Sequence, residues 1–213
     1  MATYDLDEQE RLDDLKAWWK RWGNLAMLGL AVLIAAIAGW RYWQNTSNKQ
    51  GLEAASVYEN LTRSLTNGDV KAARTAGAVV LDQYKDTAYA ARAALLMAKL
   101  DVIDKDLKSA QTRLEWVATT SKEPAVRDLA RLRLAGVQLD QKQFDAALKT
   151  LNSAHSEAFA FRFYDLKGDV LLAQGKNEEA RAAYQAAFTP LEATHPYRNV
   201  VELKLDALGG PKP

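Results

Sequence analysis

The strongest feature of the hydrophobic pattern is the run from Trp22 to Trp40, WGNLAMLGLAVLIAAIAGW, which contains no charged residue. As a helix rising ~1.5 Å per residue it covers about 28 Å, close to the hydrocarbon thickness of a bilayer. Aromatic side chains that favour the headgroup region border both ends, Trp18, Trp19 and Trp22 before it and Trp40, Tyr42 and Trp43 after it. Five of the six tryptophans thus flank one segment. The pattern predicts a transmembrane helix over residues 22–43, preceded by a short tail over 1–21. A buried core helix fits less well, because it is usually shorter and lies among other apolar elements.

A cleaved leader is the sharper alternative, since Ala36 and Ala38 satisfy the small-x-small rule and place cleavage before Gly39. The tail argues for retention: it holds six acids (Asp5, Asp7, Glu8, Glu10, Asp13, Asp14) against four bases (Arg11, Lys16, Lys20, Arg21), unlike the basic start of a leader. Those four bases face only Arg41 and Lys49 in a similar stretch after the span. The excess predicts a cytoplasmic N-terminus and an exported C-terminal domain. Within the span, Ala31, Ala35 and Gly39 recur at four-residue spacing and make a small-residue stripe, either a packing face for another transmembrane helix or a plain lipid-facing surface.

Beyond Trp43 the pattern changes to alanine-rich segments with apolar residues three and four apart and almost no strand-like alternation. This predicts an all-α domain over 44–208, with a disordered tail over 209–213. Sliding residues 131–154 by 33 positions onto 164–187 brings two helical hairpins into register: Ala135 meets Gly168, Val137 meets Val170, Ala147 meets Ala180, and Leu151 meets Tyr184. Small residues at the first and third of these places let paired helices approach, while Leu151 and Tyr184 fill the space between them. Ala98, Ala110 and Leu114 occupy the same places upstream, and Gly68 and Ala73 mark a looser first copy. Turn residues cluster at 66–69, 85–87, 104–106, 121–124, 141–143 and 175–177, which divides the domain into about four hairpins. Residues 194–208 bring Val200, Val201, Leu203, Leu205 and Leu208 onto a last helix able to cap the array.

Composition narrows the chemistry. The chain has 213 residues, 28 basic and 27 acidic, so its net charge of +1 gives no reason to expect a nucleic-acid partner. It has no cysteine, which excludes disulfides and thiolate chemistry. Its two histidines, His155 and His195, lack partners at metal-ligand spacing and read as surface residues; phosphate-binding and nucleophile motifs are absent. The expectation is a non-catalytic protein without a cofactor or metal. What such repeats do supply is a concave surface built from the first helix of each hairpin, and the register selects Arg92, Lys99, Leu132, Leu139, Arg162, Asp165, Asp169 and Leu172 for it. Aliphatic and charged groups in that mixture suit an extended polypeptide better than a small metabolite, although a solvated helix face carries a similar mixture.

The hairpins resemble tetratricopeptide repeats. With the acidic tail, the span ending in GWRYWQ at 39–44, FDAALKTL at 144–151 and EEARAAY at 178–184, the whole chain resembles the YfgM family of ancillary SecYEG translocon subunits. The resemblance implies a bacterial inner-membrane protein whose periplasmic repeat domain works with the SecYEG translocon and the membrane-anchored chaperone PpiD, contacts membrane lipid through its anchor, and receives exported client polypeptides. Family members have no catalytic residues to carry over. Alternatives are an assembly or regulatory adaptor of another envelope complex, a regulator acting through the tail, and a hydrolase with a dispersed carboxylate site.

Overall fold

The computed structural model describes residues 3–210, including their side chains except those of 3–10, 13 and 26. Among the described residues it contains nine helices and no strand: α1 (Thr3–Thr66), α2 (Val70–Gln83), α3 (Ala88–Ile103), α4 (Leu107–Thr120), α5 (Pro124–Asp140), α6 (Phe144–Leu151), α7 (Glu157–Ala173), α8 (Asn177–Phe188) and α9 (Arg198–Asp206). The all-α expectation holds. The chain forms two compact units, residues 1–50 and 51–213.

In the first unit the helix is not confined to 22–43. Its flanks are rich in Leu, Ala, Lys, Arg, Glu and Gln, all good helix formers, and contain no proline to end it. The apolar stretch of α1 is long enough to cross a membrane, and none of it is buried. That exposure separates it from the core helix of a soluble domain, whose apolar face is covered by its neighbours. Residues 1–2 of the tail and 211–213 of the expected C-terminal tail lie outside the described residues.

The second unit is a stack of four hairpins: the end of α1 with α2, then α3 with α4, α5 with α6, and α7 with α8. One turn repeats in all four. A left-handed residue stands at Gly68, Lys105, Lys142 and Gly175 (φ 75°, 62°, 58° and 76°). The amide after each bonds back across the turn, Asp69 to Ser64, Asp106 to Asp101, Gln143 to Gln138 and Lys176 to Leu171, which is a Schellman stop repeated four times. Asp69 and Asp106 then start the next helix by accepting from the amides of Ala72 (2.9 Å) and Ser109 (3.1 Å), and Pro124 opens α5 where its missing N–H costs nothing.

The same register governs the core. Ala73, Ala110, Ala147 and Ala180, early in the second helices, are completely buried. Opposite them, Leu61, Ala98, Ala135 and Gly168 on the first helices are buried too. A third set, Gly77, Leu114, Leu151 and Tyr184, is buried at each interface. The loose first copy is therefore a true hairpin, formed from the end of α1 and α2; its register was hidden because Leu61 and Gly77 exchange the usual small and large residues. At the other end α9 buries Val201, Leu205 and part of Leu208 against α8, but Val200 and Leu203 face solvent, Leu203 being 72% exposed. Only part of the expected apolar set on this helix therefore covers the last hairpin. Gly209 and Gly210, expected to begin a disordered tail, instead form the helix stop, and the carbonyl of Gly210 accepts from Arg181 Nε (3.0 Å) and Nη2 (2.6 Å).

Candidate functional site

The eight residues selected from the sequence fall at four equivalent places on the first helices α3, α5 and α7, and burial divides them. Lys99 and Arg162 are exposed, and Leu172 is 41% exposed. Leu132 and Leu139 are partly buried against the cluster of Ala135, Ala147, Leu151, Phe163 and Val170, so their side chains serve packing first. Arg92 ties α3 to the start of α5 through Glu123 (2.8 Å). An exposed ion pair of this kind contributes little to stability, which leaves both groups available to solvent.

Asp165 and Asp169 are different. Asp165 is only 3% exposed, and Lys204 of α9 reaches both of its carboxylate oxygens at 2.9 Å and Asp169 at 2.8 Å. Tyr197 donates its hydroxyl to Asp165 and Tyr184 donates to Asp169, each at 2.7 Å. Both carboxylates are thereby committed to holding α9 onto α7. Burial, followed by the carboxylate hydrogen bond, pushes each phenol well above the usual tyrosine range. Burial alone would lower the Lys204 ammonium, but the two carboxylates together hold it above the ordinary lysine value. A cationic lysine and two firmly protonated phenols form a clamp, the opposite of an activated base or nucleophile.

Similar buried carboxylates tie the earlier hairpins. Asp101 accepts from Arg74 and Arg113, each at 2.8 Å, and Asp128 accepts from the Ser156 amide (3.0 Å) and hydroxyl (2.7 Å). Sequence spacing gave no signal for Tyr197, Lys204 or Ser156, because their partners lie 28 to 39 positions away. The histidines, read as surface residues, are half-buried: His155 stacks on Phe163 at 4.1 Å, and His195 sits edge-on to Phe161 at 5.3 Å. Among the described residues no group of three His, Cys, Asp or Glu is placed to hold a metal ion. In the first unit, Trp18, Trp19, Trp22, Trp40, Tyr42 and Trp43 are all about half exposed or more. Ala31, Ala35 and Gly39 share a side of α1, and a Cβ added at Gly39 would meet only open space.

A stack of helical hairpins held by buried carboxylates, with one candidate membrane span among the described residues, defines a protein of the tetratricopeptide type. Comparison with known proteins agrees: the family model for a tetratricopeptide repeat-like domain matches residues 16–210. Three similar proteins each bear the name ancillary SecYEG translocon subunit. That of Neisseria gonorrhoeae is 32% identical over 98% of this chain and 100% of its own length. The Haemophilus influenzae protein is 30% identical over 87% of this chain and 90% of its own. The Escherichia coli protein is 28% identical over 98% and 99%. The chain belongs to the family of ancillary SecYEG translocon subunits.

Proposed function

We propose that this protein is a non-catalytic, single-pass subunit that attaches to a SecYEG translocon and presents its repeat domain to polypeptides leaving it. The observation that carries the reading is the likeness along nearly the whole chain, anchor and repeats together, to proteins named for that association. In this reading residues 1–21 are cytoplasmic, 22–43 cross the inner membrane, and 44–208 lie in the periplasm, as the excess of bases before the span favours. Ala31, Ala35 and Gly39 offer a packing face toward another membrane helix. A PpiD-type chaperone and exported clients are the periplasmic partners, met on the inner face through Lys99, Arg162 and Leu172, with Arg92, Leu132 and Leu139 beside them. Tethering raises the local concentration of the domain at the exit without requiring tight binding. The clamp of Lys204, Asp165 and Asp169 keeps the end of that surface rigid.

Photocrosslinkers placed at Lys99, Arg162 and Leu172 in cells, followed by purification in mild detergent, test this directly. Recovery of translocon subunits with nascent exported chains is expected. Crosslinks only to folded envelope complexes would replace the proposal with an assembly adaptor.

A further inference from the structure

The helical segment before the apolar run carries a pattern of its own. Leu12, Leu15, Trp19 and Trp22 recur at three- and four-residue spacing on α1 and fall on one side, each about half exposed. Lys16 and Lys20 border that stripe along one edge and Arg11 along the other, while Ala17 lies opposite. Leu12 and Leu15 stand ~10–15 Å before Trp22 along the axis, so a helix continuing straight out of a bilayer would carry both leucines into water. Between stripe and apolar run lie Gly23 and Asn24, two weak helix formers. The Trp19 indole lies against Gly23, where an added Cβ would come within 3.2 Å of its Nε1.

We infer that residues 11–22, part of the continuous helix α1, form a second membrane-binding element that lies along the lipid surface once the helix bends at Gly23 and Asn24 on meeting a bilayer. Leu12, Leu15, Trp19 and Trp22 sit at the headgroup boundary, and the flanking lysines meet anionic headgroups. Lipid is the occupant the observations favour. The stripe runs directly into the tryptophan band, residues 11–22 carry four bases (Arg11, Lys16, Lys20, Arg21) against two acids (Asp13, Asp14), and the adjoining span holds the segment within reach of a membrane whatever its intrinsic affinity. The inference rests on the apolar run crossing that membrane.

Because the chain lacks cysteine, single substitutions can each carry an environment-sensitive fluorophore in the full-length protein. The labelled variants are Leu12→Cys, Leu15→Cys, Ala17→Cys and, within the span, Leu33→Cys. They are reconstituted in phosphatidylcholine vesicles with or without phosphatidylglycerol and challenged with acrylamide. Labels at 12 and 15 should be blue-shifted and shielded several-fold relative to 17, more so with phosphatidylglycerol, and Lys16→Gln with Lys20→Gln should erase that lipid dependence. Quenching at 12 and 15 equal to that at 17, with 33 still shielded, overturns the surface helix alone. A quenched label at 33 overturns the anchor as well. Shielding at 12 and 15 that vanishes when the protein is diluted in lipid identifies a partner helix instead, and indifference to phosphatidylglycerol removes the headgroup contact.

Discussion

Hairpins α5–α6 and α7–α8 solve one packing problem with the same order of small and large residues but unequal shares of volume. In the first, Ala135 faces a gap filled by Leu151; in the second, Gly168 clears the space that Tyr184 occupies, so closely that a Cβ at 168 would lie 2.3 Å from the Tyr184 ring. A second pair of positions varies in the same way. Gln138 accepts from Thr150 at 2.8 Å inside one hairpin, while the matching Leu171 and Ala183 are buried and apolar in the other. What repeats from hairpin to hairpin is the filled volume and the turn, with polarity and side-chain size free to change if both partners change together.

The comparison breaks most visibly at Tyr184. Tyr184→Ala should lower the unfolding free energy of the full-length protein by about 3–5 kcal/mol in denaturant titrations, since the ring is 1% exposed and leaves a cavity. Gly168→Ala should cost about 1–3 kcal/mol through overpacking. Adding Tyr184→Leu to Gly168→Ala recreates the pair found in the other hairpin, so the double variant should be more stable than the summed single effects by about 1 kcal/mol. Strict additivity would mean that the two positions do not share one volume.

The clamp on α7 stands where α5 has Leu132 and Gly136, and Lys204→Met should cost about 2 kcal/mol at neutral pH by stranding a buried carboxylate. Its pH dependence has a definite sign. Lys204, Tyr184 and Tyr197 are all raised on folding, so their stabilisation is complete below their ordinary values near 10 and is lost as pH climbs through the raised ones. Stability followed by circular dichroism should fall on the alkaline side, and Tyr197→Phe should flatten that limb. An alkaline limb unchanged in both variants would detach the clamp from stability.

The smallest effects should come at the turns. Lys142 adopts the left-handed backbone that Gly175 adopts in the next hairpin. Lys142→Gly should raise the thermal midpoint slightly, by up to ~1 kcal/mol of stability, and Gly175→Ala should lower it by a similar amount. Equal and opposite shifts would show that the two turns are energetically alike.

The third and fourth hairpins were legible in the sequence because small and large residues recur there at one spacing. The first was blurred by Leu61 and Gly77, which keep the pattern of burial but reverse the sizes. The limits of α1 could not be read, since hydropathy marks where a helix suits a bilayer, not where it stops, and its charged flanks are good helix formers. Asp165 and Asp169 were selected for an open inner face, yet both are committed to Lys204, and Asp165 also to Tyr197, on a segment more than 25 residues away that no period announces. The half-buried histidines were missed for the same reason: ring stacking across a loop leaves no repeat. Of the selected residues Lys99, Arg162 and Leu172 are the most exposed, although the Arg162 guanidinium also lies over the Tyr197 ring at 5.6 Å.

Synthesis adds a temporal meaning to the clamp. Among the described residues, the side chains that neutralise or hydrogen-bond Asp165 are those of Tyr197 and Lys204. A chain made from its N-terminus delivers that tyrosine 32 residues and that lysine 39 residues after the carboxylate they hold. The contact between α7 and α9 therefore closes only after residue 204 has been made, and a product cut short between Phe188 and Tyr197 carries Asp165 without either partner, chemically marked as unfinished.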